Sequence, residues 1–174
     1  MTALRTERLL LRELNPDSDR DADFMLRLLN DPGWRAGIGP SSVSDLAGAA
    51  AYIERACASS YREHGHGMYG VELLSTGELV GLMGLVRRES LEGPDLGFAF
   101  LREHCRQGFA VEAGRAALAD ANSRLGLTRV FAITTESNAG SLTVLDRLGF
   151  ERVKNPELQP GAKQLLLFSL ELHL

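Results

Sequence analysis

Apolar positions along the chain are spaced for strands in some stretches and for helices in others, and the switches between the two spacings mark the elements. Residues 8–14 (RLLLREL) form a short apolar run closed by Asn15-Pro16, which predicts a strand ended by a turn. Asp17, Ser18 and Asp19 then offer N-caps to a helix whose stripe is Phe24, Met25, Leu28 and Leu29. Asp31-Pro32-Gly33 predicts its stop, followed through Ser42 by a loop rich in Gly, Pro and Ser that holds the only tryptophan, Trp34. Ser44 or Asp45 can cap a second helix over residues 46–63, with Leu46, Ala50, Ile53 and Ala56 or Cys57 on one face.

From Met68 the period shortens. Residues 68–74 and 78–87 flank Ser75-Thr76-Gly77 and read as a hairpin. A strand over 95–101, a helix over 109–125, a strand over 129–135, a helix over 137–148 and a strand over 165–172 complete the series. Ala110, Ala113, Ala117 and Ala121 lie on one side of the 109–125 helix, small enough for close packing on a sheet. This order predicts one domain, residues 1–174, built on a mixed α/β sheet.

Composition narrows the function classes. The 174 residues are 44% hydrophobic, enough for a real core. With 19 basic against 23 acidic residues the net charge is -4, which argues against a nucleic-acid backbone reader. Arg5, Glu7, Arg8 and Arg12 interrupt the N-terminal apolar run, so it lacks the core of a signal peptide, and no window nears a membrane-spanning length. A cytoplasmic chain with no nucleic-acid or membrane partner is expected, its Cys57 and Cys105 reduced.

Candidate chemistry gathers in residues 96–114, LGFAFLREHCRQGFAVEAG, where a strand passes through a polar turn containing Gly108 into a helix opening with Glu112. Unpaired N–H groups at a helix start carry partial positive charge, so such a turn suits an anion. Gly65-His66-Gly67-Met68-Tyr69-Gly70 matches a dinucleotide fingerprint in letters only, because a helix precedes it and a strand follows. His64 and His66 have no third ligand at a recognisable spacing, and no metal is expected. Cys105 could be a nucleophile activated by the helix dipole and Arg106, or a plain, partly buried thiol. Ser137 or Asn138 reads as an N-cap, and alternatively Asn138 and Ser141 stand at the mouth of a cleft.

Together these residues resemble the GNAT superfamily of N-acetyltransferases, in its RimJ/RimL-like branch that modifies ribosomal-protein N-termini. Thr6-Glu7-Arg8-Leu9-Leu10-Leu11-Arg12 is similar to the family's first strand, and Gly108-Phe109-Ala110-Val111-Glu112-Ala113 to its coenzyme A loop. Glu136-Ser137-Asn138-Ala139-Gly140-Ser141 and Val144-Leu145-Asp146-Arg147-Leu148-Gly149-Phe150 match two further pieces in the same order.

The resemblance implies an α/β (α+β) chain with a single mixed, mostly antiparallel central sheet flanked by helices, the GNAT acyl-CoA N-acyltransferase fold. It implies acetyl-CoA as co-substrate, with the pyrophosphate on backbone amides of Arg106, Gln107, Gly108, Phe109, Ala110 and Val111. The pantetheine would lie beside Phe98, Ala99, Phe100 and Leu101 and meet Asn138. Ser141 is the implied proton donor to the leaving thiolate, and Asp95 or Glu136 the base, through water. Chemistry would be direct attack of an amine on the thioester, with a backbone N–H near Phe100 or Leu101 meeting the oxyanion. The acceptor would be a protein N-terminus or a small-molecule amine, faced by the Trp34 loop and residues 154–163. Monomer and homodimer both fit, and a non-catalytic acyl-CoA binding module is the alternative. Cys105-Arg106 departs from the aromatic-glycine pair that usually precedes the loop, where Arg106 either adds a phosphate contact or crowds the turn.

Overall fold

The structure, a computed structural model, describes residues 3–154 and 165–173. Two strands open the chain, β1 (Ala3–Arg5) and β2 (Leu9–Glu13), followed by helices α1 (Asp19–Leu29), α2 (Pro32–Gly37) and α3 (Leu46–Ile53). A π turn (Glu54–Ala58) joins α3 to α4 (Ser59–His64), and β3 (Met68–Leu73), β4 (Leu79–Val86) and β5 (Asp95–Phe100) come next. A 3-10 turn (Arg102–His104) leads to α5 (Phe109–Ser123), β6 (Arg129–Thr135), α6 (Ala139–Leu148), β7 (Glu151–Val153) and β8 (Leu165–Glu171).

These strands form a single mixed sheet of eight in the order β1-β2-β3-β4-β5-β6-β8-β7. Every neighbouring pair is antiparallel except β5 with β6. Small alanines at 113, 117 and 121 bring α5 close to a core that includes Leu11, Val71, Val80 and Val130. A second core, with Phe24, Met25, Leu28 and Ile53, sets α1 and α3 against Leu79 and Leu82. β4 contributes to both cores and is buried along almost its whole length, as a central strand covered on both faces should be.

Three expectations change. Asp31-Pro32-Gly33 ends one helix but also starts another: Asp31 Oδ1 accepts from Gly33 N–H at 2.7 Å and Pro32 takes the first helical position, so Trp34 sits in α2 rather than in a loop. The second helix is divided by the π turn. β1 and β7, three residues each, carry too few positions to show a period. Among the described residues no helix is long and apolar enough to cross a membrane.

α1 is fastened to the sheet by a buried ion pair. Asp21, 2% exposed, accepts from Arg12 Nη1 and Nη2 at 2.9 and 2.8 Å and from the Asn15 N–H at 2.9 Å. Arg12 Nε donates to Glu72 on β3 at 3.0 Å. Burial pushes the Asp21 carboxyl up, but the Arg12 and Asn15 donors outweigh it and hold it below the usual carboxylate range. Asp21→Asn leaves Arg12 short of a partner and is expected to cost about 3 kcal/mol, a fall of roughly 6–12 °C in melting midpoint. Because the folded value is depressed, the Asp21 contribution is present above the ordinary aspartate pKa of about 3.9 and is lost as pH falls through the folded value. Melts of wild type and variant should therefore converge only below about pH 4.

Candidate active site

β5 and β6 pair at a single register position, Asp95 with Phe131, reinforced by the Phe131 N–H on Pro94 O at 3.0 Å. β5 nevertheless stays paired with β4 as far as Phe100, and β6 with β8 as far as Thr135. The two strands therefore part toward their C-terminal ends, leaving a wedge between Phe100 and Thr135. Leu101 N–H donates to Val80 O at 3.0 Å, so the alternating antiparallel ladder also commits Ala99 and Gly97 to β4. The main-chain groups of Phe98 and Phe100 consequently face the wedge. Leu101, named beside Phe100 as an oxyanion donor, has already given its N–H away.

Beyond the wedge the chain turns twice through left-handed backbone, at Arg106 (φ 60°) and Gly108 (φ 83°), before α5 begins. Glycine adopts that conformation freely, while a residue with a Cβ pays about 1–2 kcal/mol. Arg106 thus holds left-handed backbone under strain. Gly108 caps α5 without a side-chain acceptor, and the N–H groups of residues 106 to 111 find no acceptor among the described residues. Consecutive unbonded amides at a helix start form an anion cradle.

The cradle is held from outside by the chain's N-terminus. Glu112, in the first turn of α5, accepts from Thr6 Oγ1 at 2.6 Å, Arg8 N–H at 2.9 Å and Arg8 Nε at 2.7 Å. Arg8 Nη1 donates to Gln107 O at 3.0 Å, and its guanidinium lies 4.7 Å from the Phe109 ring centroid. Burial raises the Glu112 carboxyl, but the Thr6 and Arg8 donors lower it further, so it is held below the usual range and ionised. Thr6 and Arg8 were visible in the sequence only as part of a first-strand motif, and nothing local to that strand points to residue 112.

On the opposite side of the wedge, Glu136 is exposed at the end of β6. Asn138 caps α6, its Oδ1 accepting from Ser141 N–H at 3.1 Å, while its Nδ2 lies 3.1 Å from where a Cβ on Gly37 of α2 would stand. The Ser141 hydroxyl, half-buried, has no partner among the described residues. α2 is tied across this mouth, since Asp31 Oδ2 accepts the Arg102 N–H at 3.1 Å. Phe98, Phe100, residues 106–111, Glu136, Asn138 and Ser141 are thus brought to one end of the sheet.

Asp95 is not. It lies where β5 and β6 are still paired, roughly 17 Å along the strand from Phe100, 2% exposed and bonded to Arg88 Nε at 2.9 Å. Burial raises its carboxyl above the ordinary value despite Arg88. A strand's sequence does not say which of its ends will open. The Cys105 thiol is raised too, by burial and by Asp31 against the pull of Arg106 and Arg102, which opposes thiolate formation. Glu78, Glu103 and His104 cluster within 4.8 Å, but Arg27 Nη2 lies 3.2 Å from Glu103 and supplies a cation there already. Residues 155–163, expected to face the acceptor, lie outside the described residues.

A mostly antiparallel sheet with one parting parallel pair, and unbonded amides where it parts, frame the candidate site. Residues 8–151 match the acetyltransferase (GNAT) domain family, and the chain belongs to it. It is similar to the uncharacterized N-acetyltransferase YoaA of Bacillus subtilis, 27% identical over 150 residues, covering 86% of this chain and 82% of the relative. An acetyltransferase structure from Agrobacterium tumefaciens superposes with TM-score 0.77 at 26% identity, over 99% of this chain and 95% of that one. RimL, a ribosomal L7/L12 alpha-N-protein acetyltransferase solved in complex with coenzyme A, shares the fold at TM-score 0.79 and 16% identity, over 98% of each chain.

A side chain at residue 108 would be strained in that left-handed backbone, and its Cβ would stand 3.3 Å from Arg8 Nη2, so the turn that presents the amides would be pushed out of place. Gly108→Trp is expected to weaken acetyl-CoA binding at least about hundredfold, about 2.8 kcal/mol. Calorimetry giving wild-type affinity in that variant removes the cradle from the coenzyme site.

Proposed function

We propose that the protein transfers an acetyl group from acetyl-CoA to a primary amine by direct attack within a ternary complex. The observation that carries this reading is the wedge between β5 and β6 leading onto unbonded amides at 106–111, a strand-edge channel ending in an anion cradle. Pyrophosphate occupies the cradle, and the pantetheine arm runs along the free edge of Phe98 and Phe100 as an added strand would. The Asn138 side-chain N–H donors reach the same arm.

In this arrangement the thioester carbonyl meets the Phe100 N–H, which stabilises the oxyanion as the amine adds. Nitrogen bonds to the carbonyl carbon, the C–S bond breaks, and the thiolate takes a proton from Ser141. Glu136, acting through water, accepts the proton released by the amine. An α-amine with pKa about 7.7–8.0 is partly neutral near pH 7, whereas a lysine near 10.4 is almost wholly charged. A distant, water-mediated base therefore suits an N-terminal α-amine best. A neighbour in this fold, 16% identical, is described as modifying the N-terminal serine of ribosomal protein L7/L12 in Salmonella typhimurium, a precedent for that acceptor.

A screen with labelled acetyl-CoA over peptide N-termini, lysine peptides and small amines tests the reading. Labelled product on an α-amine is expected. Coenzyme binding without any product would favour the binding-module alternative. With an acceptor from that screen, Ser141→Ala should lower kcat about a hundredfold to ten-thousandfold while acetyl-CoA affinity stays within about twofold. Unchanged kcat at saturation removes Ser141 from proton transfer.

A further inference from the structure

A hydrogen bond to one end of a peptide unit fixes the other end as well, because in a planar trans unit the carbonyl and the N–H point in opposite directions. Arg8 Nη1 bonds Gln107 O at 3.0 Å, so the Gly108 N–H, the far end of the same unit, points away from Arg8. That N–H is among those without an acceptor. A Cβ on Gly108 would lie 3.3 Å from Arg8 Nη2, so the guanidinium packs directly beneath the turn.

Arg8 is itself fixed. Its Nε is held by Glu112 at 2.7 Å and its plane lies over the Phe109 ring, while Thr6 Oγ1 at 2.6 Å anchors Glu112 from the other side. Glu112 also presents a problem for an anion cradle, since it places a carboxylate in the first turn of the helix whose amides receive phosphate. Arg8 and Thr6 take up both of its oxygens.

We propose that Arg8 is a positioning residue for the coenzyme: it holds the Gln107–Gly108 peptide so that the Gly108 N–H faces the pyrophosphate, and it neutralises Glu112 at the start of α5. This rests on the reading that residues 106–111 bind acetyl-CoA. The relevant chemistry is the guanidinium fork, which serves an acceptor on each side at once. A lysine supplies the same charge but not the fork.

Arg8→Lys and Arg8→Met separate these contributions. Acetyl-CoA affinity is measured by calorimetry, the ligand-free melting midpoint by thermal unfolding, and the Gly108 amide by NMR during titration with acetyl-CoA. In wild type the Gly108 resonance should move strongly. In Arg8→Lys, affinity should fall about tenfold, the loss expected when a charge-assisted hydrogen bond is misaligned. Its melting midpoint should stay within about 2–4 °C of wild type, and the Gly108 response should shrink.

Arg8→Met should bind more weakly still, and adding Glu112→Gln to it should restore part of the affinity by removing the uncompensated carboxylate. If Arg8→Met fails to fold, Arg8→Lys carries the test alone. Wild-type affinity in Arg8→Lys, with or without a loss in Arg8→Met, overturns the positioning role and leaves the coenzyme site standing. No binding by wild type removes the coenzyme reading, and this inference with it.

Discussion

One register position of parallel pairing, Asp95 with Phe131, governs the use of everything around it. Had β5 and β6 stayed paired to their ends, the main-chain groups of Phe98 and Phe100 would have been satisfied by β6. Instead each strand is stabilised by its antiparallel partner on the outer side, β4 or β8, and can leave the other without losing its ladder. The exposed edge that results is costly unless something completes it, since buried or semi-buried backbone groups need partners. A linear ligand with amide groups can supply them.

Beyond the wedge, the start of α5 is met by a contact between parts of the chain 104 residues apart, Arg8 and Glu112. This contact joins the N-terminal strand hairpin to the start of α5. Asp31 adds a second tie, from α2 to the main chain just past β5, and Asn138 brings α6 up against α2 at Gly37. Walls, floor and mouth of the site therefore come from elements that are distant in sequence but individually well anchored, as α1 is by Asp21 and Arg12.

Much of this was legible in the sequence where the signal was local. The strand over 129–135 is β6 residue for residue, and the helix predicted over 109–125 is α5 with its last turn shortened. The polar turn with Gly108, and Asn138 as a helix cap, were readable because capping and left-handed turns select particular residues. Pairing was not legible. A hydrophobic period marks a strand but not where its neighbour leaves it, so nothing in the sequence that offered Asp95 as a base showed that it lies where β5 and β6 are still paired. Leu101 looked equivalent to Phe100 for the same reason, although the ladder gives its N–H to Val80. Asp31-Pro32-Gly33 misled differently, because the residues that stop one helix also cap the next.

A crystal structure of the protein with acetyl-CoA decides whether the coenzyme lies along the wedge and in the cradle. Pyrophosphate oxygens should lie within hydrogen-bond distance, about 2.7–3.2 Å, of several N–H groups among residues 106–111, with the pantetheine amides bonded to the main chain of Phe98 or Phe100. A coenzyme bound elsewhere, or one whose phosphates leave those N–H groups without acceptors, would contradict it.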